Sequence, residues 1–389
     1  MHIAVFSDTF YPQINGVVTS ITNSSRYLAN RGHKVMLFVP KSKGNIELGK
    51  NIYVEPIKSL GFPTYEDYKI ALPQTIKCLR KINQFKPDII HLHSPFSLGI
   101  LGVMCAKTFS LPLVGTYHTL FPEFLKYLPI PVLRENRFAK GMTWRYTNFV
   151  YNKCDVVTTP SQMMKKELKK HGVHSPIKVI SNGVDLSIFH KVTSVKATKK
   201  FKLKNGYIIH FGRISYEKNI EVVLRSFKTV IKFHPSYDLI IAGKGPALGN
   251  LRKEAKRLGI NKNVKFTGFV RENELVELLS SANAFATAST IETQGLALLE
   301  AMACALPVVG VDKMAIPELI QNGKNGFLVE PGDYRKMGLC LLKLTGNSKS
   351  RTRMGENSLV VAKKHCLENA VSELETLYLK EIKFQKRKK

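Results

Sequence analysis

The stretch Thr290-Ile-Glu-Thr-Gln-Gly-Leu-Ala-Leu-Leu-Glu-Ala-Met-Ala303 decides the fold of this chain. A run of small and apolar residues, Ala282 to Ala288, leads into it. Glu292 therefore falls where a buried strand should end, and Gly295 opens a run with helical spacing. The reading is strand, loop and helix start. Backbone N–H groups of Thr293, Gln294, Gly295 and Leu296 would then lie at the positive end of the helix, where phosphate groups are favoured. Glu292 and Glu300 would flank the same place. Carboxylates cannot favour phosphate, but as pure acceptors they match sugar or ribose hydroxyls.

Upstream of this stretch, Gly206–Phe211 reads as a strand and Ile220–Phe233 as a helix, with Gly212-Arg213-Ile-Ser-Tyr-Glu-Lys218-Asn219 between them. Arg213 and Lys218 are two cations straddling a glycine turn at a strand end, suited to a diphosphate. Taken singly, each reads better as a surface charge. Gly243-Lys-Gly-Pro246 follows the next strand, and Gly268-Phe-Val270 ends the strand Val264–Thr267. Leu306–Val311 is a further buried strand, and from Asp333 onward the pattern is helical. The chain ends in the basic tail Lys383-Phe-Gln-Lys-Arg-Lys-Lys389.

The first half repeats the alternation, with strands at His2–Ser7, Lys34–Pro40, Asn51–Pro56, Asp88–His93, Leu111–His118 and Asp155–Pro160. Such alternation builds a parallel sheet covered on both faces, whose ligands sit beyond the carboxyl ends of the strands. His91, His93 and His118 all fall at such ends. The turn Asp8–Gly16 before a helix at Val17–Asn30 lacks a GxGxxG fingerprint, so a ligand loop at Gly16 and a plain connection are both open. His91 and His93 read as structural, because a metal site at His-Leu-His would need a third ligand that is not evident.

Several of these segments together resemble retaining glycosyltransferases of family 4. They are Glu292-Thr-Gln-Gly-Leu with Glu300 eight residues on, Gly212-Arg-x4-Lys-Asn219, Gly243-x-Gly-Pro, Asn15-Gly16 and Gly115-Thr-Tyr-His118. The Glu-Thr-Gln-Gly-Leu form is most like the diacylglycerol glucosyltransferase branch. The resemblance implies an α/β GT-B fold, with two doubly wound Rossmann-like domains facing across a cleft. Residues 1–190 would bind acceptor, 191–205 would be a linker, and 206–365 would bind the nucleotide sugar. Residues 366–389 would form a C-terminal helix and tail crossing back to the first domain.

In that resemblance Gly16 approaches the donor phosphates, and Arg213 and Lys218 hold the diphosphate. Gly243 and Val270 border the nucleotide, Glu292 and His118 contact the sugar, and Glu300 takes the ribose. Lys244 departs from the family, which often has Asp there. The implied reaction moves a hexose, glucose from UDP-glucose first, to a lipid hydroxyl such as that of diacylglycerol. GDP-mannose is the alternative donor. Attack would come from the front face without a protein nucleophile. No Asp-x-Asp pair occurs to hold a metal, so neither metal nor other cofactor is expected.

Charge bears on the partner. The net charge is +30, with 24 basic against 11 acidic side chains in residues 1–190 and 35 against 18 in 191–389, so no tail accounts for it. Such a surface seeks an anion, either membrane lipid or nucleic acid. No nucleic-acid-binding motif occurs, and a non-catalytic nucleic-acid binder would leave the Arg213, Lys218, Glu292 and Glu300 constellation without a purpose.

From Leu120 to Tyr151, Phe121, Phe124, Leu125, Tyr127, Leu128, Ile130, Val132, Leu133 and Trp144 mix with Lys126, Arg134, Arg137, Lys140 and Arg145. An interfacial segment and a helix packed on the sheet both fit. Ser161 caps a helix bearing Lys165, Lys166, Lys169 and Lys170. No run of ~20 apolar residues occurs, so membrane contact is expected to be peripheral. Six dispersed cysteines without a CxxC pair, and no signal peptide before His2, lead to the expectation of a cytoplasmic protein on the inner face of the membrane.

Overall fold

The computed structural model describes the chain except residues 14, 43–45, 63–64, 73, 128–135, 204–205 and 389. It divides into two compact units, Met1–Asn182 with Leu367–Lys389, and Gly183–Cys366.

Unit 1 opens with β1 (His2–Phe6), α1 (Gly16–Asn30), β2 (Lys34–Pro40) and β3 (Ile52–Ile57). An antiparallel hairpin of β4 (Ser59–Phe62) and β5 (Tyr65–Ala71) follows, which the residue pattern does not announce. Next come α2 (Thr75–Phe85), β6 (Ile89–Leu92), α3 (Ser97–Thr108), β7 (Leu113–Thr116), α4 (Arg137–Tyr151), β8 (Val156–Thr159), α5 (Gln162–Lys170) and β9 (Ile177–Val179). The described strands of the main sheet run parallel in the order β3-β2-β1-β6-β7-β8-β9. β6, β7 and β8 are buried end to end, as strands covered on both faces must be.

Unit 2 takes in α6 (Lys196–Lys200), β10 (Tyr207–Phe211), α7 (Ile220–Phe233), β11 (Asp238–Ala242), α8 (Leu248–Arg257), β12 (Val264–Gly268) and α9 (Glu272–Ser281). It continues with β13 (Ala284–Ala286), α10 (Leu296–Ala303), β14 (Val308–Val311), α11 (Ile316–Leu319), β15 (Gly326–Val329), α12 (Tyr334–Gly346) and α13 (Ser348–Lys364). Its sheet has the order β12-β11-β10-β13-β14-β15. Alternate residues of β10 feed two cores. Ile208 packs with Val223, Phe227 and Leu341, while Tyr207, Ile209 and Phe211 pack with Leu278, Leu298 and Met302.

The stretch expected to be a linker, residues 191–205, belongs to unit 2, which already starts at Gly183. Glu277 of α9 holds it, accepting from Ser194 Oγ and from the Ala197 N–H, each at 2.7 Å. Lys and Ser content therefore marks a solvated surface strap here, not a free connection. The last helix, α14 (Leu367–Lys388), is part of unit 1. Its Leu367, Val371, Leu374 and Tyr378 share a core with Ile21, Leu28 and Val35, and Glu375 meets both Arg31 and His33 at 2.7 Å.

In each sheet the strand order reverses beside the first strand, between β1 and β6 in unit 1 and between β10 and β13 in unit 2. Crevices at such reversals are where open α/β sheets bind ligands.

Candidate active site

The reversal point of unit 2 gathers most of the expected donor residues. Arg213 and Lys218 lie on the loop after β10, and Glu292 lies on the loop after β13. Lys218 Nζ donates to Glu292 Oε1 at 2.5 Å. Asn219, in the left-handed region at φ 48°, ties the same two loops through bonds from Nδ2 to Ala288 O at 3.2 Å and Thr290 Oγ1 at 3.3 Å.

The neighbouring turns are laced in by backbone. The Ile214 N–H donates to Lys244 O at 2.9 Å, and the Gly243 N–H donates to Gly268 O at 2.8 Å. Gly243 sits at φ +139°, and a Cβ there would stand 1.8 Å from Gly212 O, so only glycine fits. Gly295, at φ +92°, turns the chain into α10, and the Leu298 and Leu299 N–H groups both donate to its carbonyl. Thr293 and Gln294 precede that turn, Leu296 begins the helix, and Val270 lies at the edge of the adjoining core.

Electrostatics separates the two glutamates. Burial pushes Glu292 upward, but Lys218 beside it outweighs this and holds the carboxyl below its ordinary range. Glu300, just over one turn into α10, has no such cation among the described residues. Burial, with Glu272 nearby, pushes it up to about 7. The residue pattern gave Lys218 to a diphosphate and the resemblance gave Glu292 to the sugar, and neither anticipated that the two bind each other. It also passed over His210 in β10, whose Nδ1–H donates to Ala286 O at 2.8 Å. Burial carries this ring down to about 4, with Lys218 and Glu292 close enough to act on it in opposite directions. A histidine inside an otherwise apolar strand was the available signal.

In unit 1, Asn15 caps α1 by accepting from the Val17 and Val18 N–H groups, each at 3.0 Å, and leaves Gly16 exposed at the helix start. His118 follows β7 and is buried. Its Nε2 is 2.8 Å from His93 Nδ1, with the rings stacked. The His91 ring lies against that of His93 at 4.0 Å, tilted by 38°, bonds Thr116 Oγ1 at 2.6 Å and meets the hydroxyl of Tyr378 on α14. His93 thus supports His118 directly and His91 supports it through His93, the i, i+2 spacing placing His91 and His93 on one strand face.

Burial keeps all three rings neutral: His91 falls to about 3, His93 falls well below its ordinary value, and His118 falls to about 4 despite a bond to Asn182 that favours its charged form. A cavity of about 30 Å³ lies among His91, His93, His118, Ser20 and Asn182. Among the described residues no group of three His, Cys, Asp or Glu side chains is placed to hold a metal ion.

The aromatic and basic stretch divides. Trp144 turns inward and stacks on His171 at 4.1 Å, while Phe138 and Phe149 of the same helix face solvent. Leu128, Ile130, Val132, Leu133 and Arg134 lie outside the described residues, as do the side chains of Phe124, Lys126 and Tyr127. Ser161 caps α5, with Lys166, Lys169 and Lys170 exposed and Met164 and Leu168 buried. Among the described residues no helix is long and apolar enough to cross a membrane.

Two family descriptions match the chain, Glycosyltransferase Family 4 over residues 14–188 and Glycosyl transferases group 1 over residues 193–360. An alpha-monoglucosyldiacylglycerol synthase of Streptococcus pneumoniae is 33% identical over 84% of this chain and 75% of its own. A GDP-mannose-dependent alpha-mannosyltransferase of Corynebacterium glutamicum is 28% identical over 86% of this chain and 78% of its own. The crystal structure of Anabaena Alr3699/HepE in complex with UDP-glucose superposes with a TM-score of 0.78. It is 20% identical and covers 97% of this chain and 99% of that one. With two parallel-sheet units of Rossmann type and these likenesses, the chain belongs to glycosyltransferase family 4 and is a hexosyltransferase of the GT-B fold.

Proposed function

We propose that the protein transfers glucose from UDP-glucose, with retention of the α configuration, to the free hydroxyl of diacylglycerol at the cytoplasmic face of a membrane. The observation that carries this reading is the Lys218–Glu292 pair at the reversal point of unit 2. It sets a cation and a hydroxyl acceptor side by side next to a helix start. Lys218, Arg213 and the first turn of α10 take the diphosphate, and their preorganised charge stabilises it as it leaves. Glu292 accepts from sugar hydroxyls and Glu300 from the ribose. Thr293, Gln294, Leu296, Gly243 and Val270 shape the nucleotide's bed, and Gly16 gives backbone access to phosphate.

His118 bonds the sugar as a neutral ring. The departing phosphate oxygen takes the acceptor's proton, so neither glutamate is a nucleophile and no step is assigned to a metal. The net charge of +30 supports an anionic membrane surface as the place of reaction, and no role is assigned to nucleic acid.

Titration calorimetry with UDP-glucose and GDP-mannose tests the donor. UDP-glucose should bind, and Arg213→Ala should weaken it. Binding of GDP-mannose alone would replace the glucosyl reading with the mannosyl one.

A further inference from the structure

Two helices of unit 1 expose apolar side chains at helical spacing, outside the residues assigned to catalysis. On α3 and its cap these are Phe96, Ile100 and Met104. On α4 they are Phe138, Met142, Tyr146 and Phe149. Phe138 is 78% exposed, Phe149 58% and Met142 47%, far beyond what a packed helix leaves in water. The two rows form one face. Tyr146 donates its hydroxyl proton to Pro95 O at 2.7 Å, and its ring stacks near that of Phe96 at 6.4 Å.

The opposite faces are committed to the interior. Gly99 packs α3 on the loop after β6 and Gly102 packs it on β6 itself, so closely that a Cβ would stand 2.0 Å from Ser94 O or 2.8 Å from the Leu92 side chain. Leu98, Leu101 and Cys105 are buried with them, as are Trp144, Thr147 and Val150 on α4. The exposed rows therefore cannot roll inward.

Charge selects the occupant. Neither helix carries a carboxylate, and every charged residue on them is a cation: Lys107, Arg137, Lys140 and Arg145. Lys153, just past α4, lies over the Phe149 ring at 4.5 Å. Beside α4 a cleft of about 710 Å³ is bordered by Arg137, Lys140, Arg145 and Lys170, of which Lys140 pairs with Glu123 at 3.9 Å and Lys170 with Glu167 at 4.0 Å. Nucleic acid would answer the cations but leave phenylalanine and methionine against phosphate. An anionic bilayer answers both, with rings at the headgroup level and cations among the lipid phosphates.

We propose that the α3–α4 face is where this protein docks on an anionic phospholipid bilayer. The proposal deepens the lipid-acceptor reading and rests on it for its purpose, but it is measured without any sugar transfer.

The test is sedimentation of the full chain with vesicles of phosphatidylcholine alone or mixed with phosphatidylglycerol, at low and high salt. Wild type should partition to the anionic vesicles and keep a salt-resistant fraction. Phe138→Ser/Met142→Ser/Phe149→Ser should lose that fraction, lowering high-salt binding about tenfold or more. Arg137→Glu/Arg145→Glu should lose the salt-sensitive part. Phe138→Trp should bind like wild type, and thermal melts confirm that each variant is folded.

Retention of salt-resistant binding by the folded apolar triple variant overturns the proposal. Equal binding of wild type to neutral and anionic vesicles overturns it too, as does salt-sensitive binding to RNA with none to vesicles. Vesicle binding without glycolipid formation leaves the docking face standing and removes the acceptor reading. Glycolipid formation in detergent without vesicle binding does the reverse.

Discussion

Lys218 Nζ and Glu292 Oε1, 2.5 Å apart, join the loop after β10 to the loop after β13 at the strand reversal of unit 2. Both side chains are mostly buried, at 25% and 17% exposed, and Lys218 holds the Glu292 carboxyl below its ordinary range there. A donor arriving at this place meets charges already set, so little reorganisation remains for the reaction itself.

Arg213→Ala should weaken UDP-glucose binding and lower kcat/KM by about 2–4 kcal/mol of transition-state stabilisation, with an unchanged thermal midpoint. Steady-state kinetics and a melting curve check this together. Wild-type turnover would remove the residue from the diphosphate site.

Turnover should survive EDTA. The expectation comes from a chain with no Asp-x-Asp pair, in which the leaving-group charge falls to Arg213, Lys218 and the start of α10. Loss of turnover in EDTA, restored by Mg²⁺ or Mn²⁺, would overturn it.

Glu300 gives a pH signature. With its folded value raised to about 7, the folded chain holds a proton that the unfolded chain releases near 4.5. Its own contribution to stability therefore falls as pH rises from about 4.5 to about 7 and then levels off, against the opposite trend of the buried histidines. Glu300→Gln should remove this slope and raise the melting midpoint at alkaline but not acidic pH. As a ribose acceptor Glu300 must be ionised, so the donor KM should fall as pH rises through about 7 in wild type and stay flat in the variant.

The histidine array has the opposite sign. His91, His93 and His118 are neutral when folded, with values of about 3 and about 4 for the first and last, against 6.5 for an ordinary ring. Their contribution is complete above about pH 6.5 and drains away as pH falls toward 4, because the unfolded chain takes up the protons. Urea midpoints across that range should drop in wild type and drop less steeply in His91→Phe. Tyr378→Phe should cost about 1–2 kcal/mol, since it strips a buried partner from His91.

Much of the fold was legible because its strands are buried on both faces and read as unbroken apolar runs, as β13 and β14 do. Turn glycines at 243 and 295 marked the ligand loops for the same reason, since both need a positive φ. The unit boundary was not legible. Residues 191–205 look like a linker in composition, but bonds to residues of α9 about 75–90 positions away, from Val192 to Ser280, from Ser194 and Ala197 to Glu277 and from Lys200 to Glu274, tie the described part to unit 2. Nor could spacing alone show that His93 supports His118, which depends on β6 and β7 being neighbours in the sheet. The outward turn of Phe138 and the inward turn of Trp144 likewise depend on which face of α4 meets the sheet.

The central claim is tested most directly by following labelled glucose from UDP-glucose into diacylglycerol dispersed in detergent. Wild type, Lys218→Met, Glu292→Gln and the double variant would be compared. An α-linked glucolipid should form with wild type. Each single change should lower kcat/KM by about 10²–10³-fold, and the double change should cost little more than either, because the pair acts as a unit. Wild-type rates in either single variant, or no labelled glucolipid from the wild-type protein, would contradict the account.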